Sequence, residues 1–256
     1  MDEFSLEGKV AVITGASRGI GRAIAELYAQ AGAKVVVSSR KLPNVQEVAD
    51  GIQAAGGQAL ALQAHIGRTE DMQGMATQTV EHFGRLDILV NNAAISPHFG
   101  PLLAADEGQW DKIMDTNVKG VFRACQAAAP GMQAQGGGKI INIISVSGLQ
   151  PTPGLGLYGV TKAAVLMLTK VLALELGGAH IQVNAIAPGV IKTRFSQVLW
   201  DTPQISEHIL GRLPLGRFGE AAEVAQMALF LAAPASDYVT GSVFQVDGGM
   251  SIGFGG

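Results

Sequence analysis

The sequence is short of charge, of cysteine and of long apolar runs, and each shortage closes off a class of protein. Among 256 residues, 18 are Lys or Arg and 21 are Asp or Glu, giving a net charge of −3 with no block of either sign. So even a balance lacks the basic face that nucleic acid or an anionic membrane surface would need, and neither is expected as a partner. A single cysteine, Cys125, excludes a disulfide framework and a cysteine-rich metal site. It reads as a small buried residue, and a reducing, cytoplasmic setting fits it. The histidines at 65, 82, 98, 180 and 208 show no metal-ligand spacing, so no metal is expected. Met1 to Gly8 carries three acidic residues and no apolar run, unlike a signal peptide. The longest stretch free of Asp, Glu, Lys and Arg, 140–161, is broken by Pro151, Pro153 and four glycines, and reads as strand and loop rather than a spanning helix.

Apolar residues and glycine are what the chain has in abundance. Apolar residues make up 48% of it, ample for a core and unlike a disordered composition. Glycine, 34 of 256, is about twice its usual share, so the backbone must turn tightly or approach something closely. Short β-branched runs alternate with longer helical patterns. Strands are expected at 10–14, 34–38, 58–63, 86–91, 139–145, 181–187 and 242–246. Helices are expected at 20–30, 45–55, 69–82, 109–133, 159–176 and 221–232. That alternation predicts right-handed βαβ crossovers and a parallel sheet. Nearly continuous apolar strands predict helices on both faces. No linker or internal repeat divides the pattern. The expectation is an α/β protein: a single doubly wound Rossmann domain over 1–256, with a seven-stranded parallel sheet and ligands at the carboxyl ends of its strands.

The first strand runs into Gly15-Ala16-Ser17-Arg18-Gly19-Ile20-Gly21, and a helix follows at once. Glycines at 15, 19 and 21 permit a tight turn, a close approach of backbone to pyrophosphate, and helix-on-strand packing. The loop, with Ser17, Arg18 and Ile20 between its glycines, is the expected cradle of a dinucleotide. The same stretch also reads as Gly-x-Ser-x-Gly, a hydrolase nucleophile elbow built on Ser17. Only 16 residues precede Ser17, too few for the earlier strand and loop that give an elbow its second oxyanion donor. His180 and His208 have no supporting context as a triad base.

In NAD-binding units an acidic residue after the second strand accepts from the ribose hydroxyls. Here that strand ends Ser38-Ser39-Arg40 and Lys41 follows. Arg40, with Ser39 beside it and Arg18 within reach from the glycine loop, suits a 2′-phosphate, which a guanidinium grips bidentately. The expected cofactor is NADP(H).

Tyr158 and Lys162 are four apart at the start of a helix, on one face. A phenol with an ordinary pKa near 10 is a poor proton carrier at neutral pH, and a fixed cation beside it would lower that value. Such a phenol gives a proton to a carbonyl oxygen or takes one from an alcohol. Thirteen residues earlier, Ser145 sits at a strand end, where its hydroxyl can hold a substrate oxygen. Asn117 falls inside the preceding long helix, where a buried Asn must find partners and can bind water.

Together these residues resemble the short-chain dehydrogenase/reductase family over Gly8 to Gly249. The motifs are Thr14-Gly-Ala-Ser-Arg-Gly-Ile-Gly21, Asp87-Ile-Leu-Val-Asn-Asn-Ala-Ala94, Asn117, Ser145, Tyr158 with Lys162, and Pro188-Gly-Val-Ile-Lys-Thr193. The resemblance implies a proton relay in which Tyr158 is the acid/base and Ser145 orients the carbonyl. It implies that Lys162 lowers the tyrosine pKa and holds the nicotinamide ribose, while Asn117 anchors a relay water. It also implies that Asn91 and Ala93 flank the cofactor, and that Pro188, Gly189, Ile191 and Thr193 contact the nicotinamide. Three departures stand out. Ala94 replaces a frequent glycine, and Ile144 the first serine of a common pair. His65-Ile66 replaces an Asp-Val pair that usually meets the adenine, leaving Ile66 to pack on the ring.

The substrate wall is expected from 96–103, 146–157 and a lid around 194–213. These segments offer His98, Phe99, Leu149, Leu155, Leu157, Phe195, Leu199 and Trp200 as an apolar wall. Arg194 and Arg212 lie nearby, but the wall as a whole favours a lipophilic or aromatic ketone or aldehyde. The stretches 35–41 and 189–200 and the Pro97/Phe99-Gly100 loop resemble NADPH-dependent carbonyl (retinal-type) reductases of animal peroxisomes. The chain ends Gly253-Phe-Gly-Gly256, without a Ser-Lys-Leu-like address, so the cytoplasm remains the expected location. Alternatives are a 3-oxoacyl-thioester reductase, disfavoured because Pro130 and Leu174 are not basic, an NAD-dependent secondary alcohol dehydrogenase, and a non-catalytic cofactor-binding protein. The family resemblance also implies a homotetramer, and the Ala-rich run 124–129 and apolar 163–174 suit close helix pairing.

Overall fold

A computed structural model describes residues 3–252, so the terminal 253–256 and their missing address lie outside the described residues. Seven strands form one parallel sheet: β1 (Val10–Thr14), β2 (Lys34–Ser39), β3 (Gln58–Gln63), β4 (Ile88–Asn91), β5 (Gly138–Ile143), β6 (Ile181–Pro188) and β7 (Val243–Val246). Their order is β3-β2-β1-β4-β5-β6-β7. The chain winds outward from β1 in one direction, then resumes at β4 on its other side. The switch leaves a crevice beyond the carboxyl ends of β1 and β4, where ligands bind in open α/β sheets.

Alternation along the strands explains the two layers. Ala11, Ile13, Val35 and Val37 point to one face, against α1 (Gly19–Gln30), α2 (Leu42–Ala54) and α9 (Ala221–Ala232). Val12, Val36 and Leu89 point to the other, against α3 (Thr69–Phe83), α5 (Gly120–Ala134) and α6 (Gly156–Leu176). A period of two therefore feeds two cores from a single sheet. Tyr28 ties the first layer together, its hydroxyl donating to the Ala228 carbonyl at 2.7 Å.

Element boundaries moved where local chemistry competed. β5 stops at Ile143 instead of Ser145, because Ser145 caps a tight turn over Val146–Gly148. α2 begins at Leu42, with Pro43 in its first turn, where a missing N–H costs nothing. The expected helix 109–133 begins as α4 (Glu107–Met114), under a capping box made by Asp106 and Gln109. It then passes through a π turn, Asp115–Lys119, into α5. The segment expected as a lid contains two short helices, α7 (Gln197–Asp201) and α8 (Pro203–Leu210). The stretch Gly156–Ala179, covering α6 and the turn after it, is long and apolar enough to cross a bilayer by length and composition, with mean hydropathy 1.6. No such helix was expected. α6 packs against β6 on one side.

Candidate active site

A cleft of about 960 Å³ opens at the carboxyl ends of the central strands. Its floor is the glycine loop. Gly15 has φ 67°, and a Cβ there would lie 2.8 Å from the Ala93 Cα. Gly19 has φ 58°, with the Thr193 methyl 3.1 Å from the corresponding point. Both positions therefore need glycine for their backbone angles, and Gly15 on steric grounds as well. Arg18 is the N-cap of α1 and makes no side-chain cap bond, so the first N–H groups of the helix are left to a ligand. A glycine floor at a helix amino terminus, in a cleft of this length, fits a nicotinamide dinucleotide.

Most of the expected cofactor residues line this cleft: Gly15, Ser17, Arg18, Gly19, Ile20, Ser39, Arg40, Ile66 and Ala93, together with Pro188, Gly189, Ile191 and Thr193. Two expected residues stand behind the wall instead. Gly21 is pressed against the Asn92 amide and the Gly15 carbonyl, where a Cβ would be 2.5 and 2.7 Å from them. It holds α1 against the strand ends. Asn91 ends β4 pointing into the core, donating to Asn142 Oδ1 at 2.9 Å and to Cys125 Sγ at 3.3 Å. Its Oδ1 is buried without a hydrogen-bond partner among the described residues. The residue that does shape the wall is Asn92, overlooked in the sequence although it is the second of a conspicuous Asn-Asn pair. Its amide donates to the Thr14 and Gly15 carbonyls at 3.0 and 3.1 Å, stitching the glycine loop to β4.

At the far end of β2 no carboxylate appears. Arg18 and Arg40 are both exposed to the cleft, and neither side chain has an ion-pair partner among the described residues. His65 accepts the Gly67 N–H on Nδ1 at 3.0 Å, which leaves Nε2 to carry the proton.

The reactive groups gather where β5 ends and α6 begins. Ser145 is extended, and its Oγ accepts the Ser147 N–H at 3.1 Å. With that acceptor position filled, the hydroxyl proton is free to point at a substrate oxygen. Tyr158 is buried, lines the cleft, and has no hydrogen-bond partner for its hydroxyl among the described residues. Lys162 is 3% exposed, donates to the Ile143 carbonyl at 2.7 Å, and places its Nζ 5.4 Å from the centre of the Tyr158 ring.

The electrostatics run against one expectation. Burial raises the Tyr158 phenol above its ordinary value, and Lys162 does not offset this. The lysine gives one of its three N–H donors to Ile143, and burial pushes its own pKa down to about 8. Each group is driven towards its neutral form by loss of water. A phenol held protonated suits proton donation.

Asn117 sits in the π turn, fully buried. Its Oδ1 accepts the Ile95 N–H at 2.9 Å, while Nδ2 donates to the Ile95 carbonyl at 2.9 Å and to Thr161 Oγ1 at 3.1 Å. Both amide protons are spent on fastening the 95 loop to α6. Any relay water at Asn117 would therefore draw on its main chain.

The substrate end is more polar than expected. Phe99, Leu155, Phe195 and Leu199 line the cleft, and the Phe195 ring lies 5.9 Å from that of Tyr158. His98, Leu149, Leu157 and Trp200 do not line it. The His98 ring is held by the Pro101 carbonyl, and the Trp200 indole donates to the Thr193 carbonyl at 3.1 Å. Leu149 and Leu157 belong to the core. In their place stand Gln150, Arg194, Gln204, His208 and Arg212. α8 repeats no more than two turns, too short for its cleft-facing positions to be picked out by periodicity.

A family model described as enoyl-(acyl carrier protein) reductase matches residues 15–251. Dehydrogenase/reductase SDR family member 4 of Oryctolagus cuniculus is 42% identical over 244 residues, covering 95% of this chain and 94% of that one. A gluconate 5-dehydrogenase from Burkholderia cenocepacia J2315, solved with NADP and tartrate, is 37% identical with a TM-score of 0.95, covering 99% of both chains. A 7α-hydroxysteroid dehydrogenase, solved with NADH and 7-oxo glycochenodeoxycholic acid, is 37% identical with a TM-score of 0.93, covering 97% of this chain and 96% of that one.

Proposed function

The chain belongs to the short-chain dehydrogenase/reductase family of oxidoreductases, and from that premise we propose that it is an NADP(H)-dependent carbonyl reductase working through Ser145, Tyr158 and Lys162. One observation carries the reading. The Tyr158 hydroxyl lines the cleft without a hydrogen-bond partner among the described residues, and burial keeps it protonated. Ser145, whose Oγ already accepts from Ser147, is left to donate to a carbonyl oxygen. Two donors aimed at one oxygen stabilise the charge that develops there as the carbonyl is reduced. Tyr158 then gives that oxygen its proton.

The bound nicotinamide would supply the hydride. Gly15, Gly19 and the start of α1 would hold its pyrophosphate, and Thr193 and Pro188 would border the nicotinamide. Lys162 is proposed to hold the ribose and to keep positive charge beside Tyr158. The paired arginines Arg18 and Arg40, with no acid after β2, favour the 2′-phosphate and therefore NADP(H). The segment 194–213, carrying α7 and α8, is proposed as the substrate lid of the single domain. A homotetramer and a cytoplasmic location complete the reading.

The test is consumption of NADPH, with NADH in parallel, on aryl ketones, diketones, aldehydes and one 3-oxoacyl thioester. Ketone turnover with NADPH favoured at least about tenfold, the scale of one charge-assisted contact, is the expected result. A preference for NADH overturns the phosphate argument, and turnover of the thioester alone overturns the substrate class.

A further inference from the structure

Resting on the reductase reading, we infer that the substrate is an amphipathic ketone bearing a carboxylate. Arg212, assisted by His208 and Gln204, grips that carboxylate, while the apolar body lies against Phe195, Leu199 and Ile205. The argument begins with charge. Among the described residues lining the cleft, Asp115 is the sole carboxylate, and it is bound to Arg123 at 2.7 Å. Of the arginines outside the cleft, Arg22 is held by Glu26, Arg85 by Asp87 and Arg217 by Glu223, while Arg68 has no ion pair among the described residues. Arg212 lines the cleft and has no such partner among the described residues.

Helix geometry then gathers the donors. Gln204 and His208 are four apart on α8, and Arg212 follows four residues later, after a Gly211 cap that keeps helical angles (φ −62°, ψ −17°). They form one row along the cleft, roughly 12 Å long at 1.5 Å per residue. Ile205 and Ile209 face the same cleft. One short element thus offers the ligand both apolar surface and donors, as an amphipathic molecule requires. Gln204, His208 and Arg212 are all exposed along the cleft, and a wholly lipophilic ketone would offer none of them a partner. A carboxylate matches the fork of Arg212 with two parallel hydrogen bonds.

The experiment compares para-acetylphenylbutanoate with its primary amide, which keeps the shape and removes the charge. Dissociation constants are measured by calorimetry, and kcat/KM with either nicotinamide cofactor. The acid should be favoured at least about tenfold in both, the worth of a hydrogen-bonded charge pair. That preference should fall to near parity in Arg212→Gln, survive in part in Arg212→Lys, and stay unchanged in Lys192→Gln, whose ammonium lies by Glu220. Parity in the wild type, or a preference that persists in Arg212→Gln, overturns the inference. Selective binding of the acid without turnover of any ketone would overturn the reductase reading and leave the anion site standing.

Discussion

The Lys162 ammonium stands 5.4 Å from the centre of the Tyr158 ring, one turn further along α6, and donates to the Ile143 carbonyl rather than to an acid. The cation is thus fixed by the end of β5, the strand that delivers Ser145. Sheet and helix converge on the place where a carbonyl would sit.

Because the Tyr158 hydroxyl has no protein partner among the described residues, removing it should leave no donor or acceptor stranded. Tyr158→Phe should fold normally and melt within a degree or two of the wild type. Turnover should drop by about 10²- to 10⁴-fold, the usual worth of a positioned proton donor, while cofactor affinity stays close to wild type. Steady-state rates and a cofactor titration on the same preparation check this. Retained turnover would remove Tyr158 from the relay.

Lys162 makes a pH prediction with a definite sign. Its pKa is about 8 in the fold against 10.5 when unfolded. Between those values the unfolded chain binds more protons, so stability rises with pH across the window and the burial penalty is fully present below pH 8. At about 1.4 kcal/mol per unit, the wild type should gain roughly 3 kcal/mol on Lys162→Met between the two pKa values. Urea unfolding of both proteins at pH 7.5 and at the highest pH they tolerate reads the difference. Parallel stability curves would mean that the lysine is not desolvated.

Much of this was legible in the sequence because period-two strands and a strand-glycine-helix junction leave few alternatives. What escaped notice depends on side-chain direction. Asn91 and Asn92 are adjacent, yet one faces the core and the other the loop, and composition does not tell them apart. The Tyr158–Lys162 spacing places a cation near a phenol, but the phenol's shift is decided by burial, which spacing does not report. The π turn at Asn117 was hidden for a related reason. Its wider winding is stabilised by contacts to Ile95 and Thr161, more than twenty residues away in either direction.

Arg40 separates the two nicotinamide cofactors. It is exposed at the end of β2, so changing it should not disturb the core. Arg40→Asp would remove one phosphate grip and supply a carboxylate that accepts from the ribose hydroxyls. The ratio of kcat/KM for NADPH over NADH should fall by about 100-fold, matching two charge-assisted hydrogen bonds. An unchanged ratio would show that Arg40 stays in solvent and that cofactor choice lies elsewhere.

The outer face of α6 calls for a partner. One side of the helix packs on the sheet, and the other carries Val160, Met167, Val171 and Leu174, exposed by 42, 59, 40 and 86%. A helix apolar all round is normally buried all round. Its hydropathy would also suit a bilayer, but the sheet-facing side is already taken and Lys162 and Lys170 lie along its length. A second copy presenting the same face would cover the exposed row isologously. The purified chain should therefore elute as an assembly of at least two copies without detergent. Leu174→Glu, whose side chain is almost fully exposed within one chain, should leave the fold intact and shift the assembly to smaller species, because a buried unpaired carboxylate in each interface is costly. Light scattering of both proteins distinguishes the outcomes. A monomeric wild type, or a Leu174→Glu protein of unchanged mass, would mean that this face is not the contact.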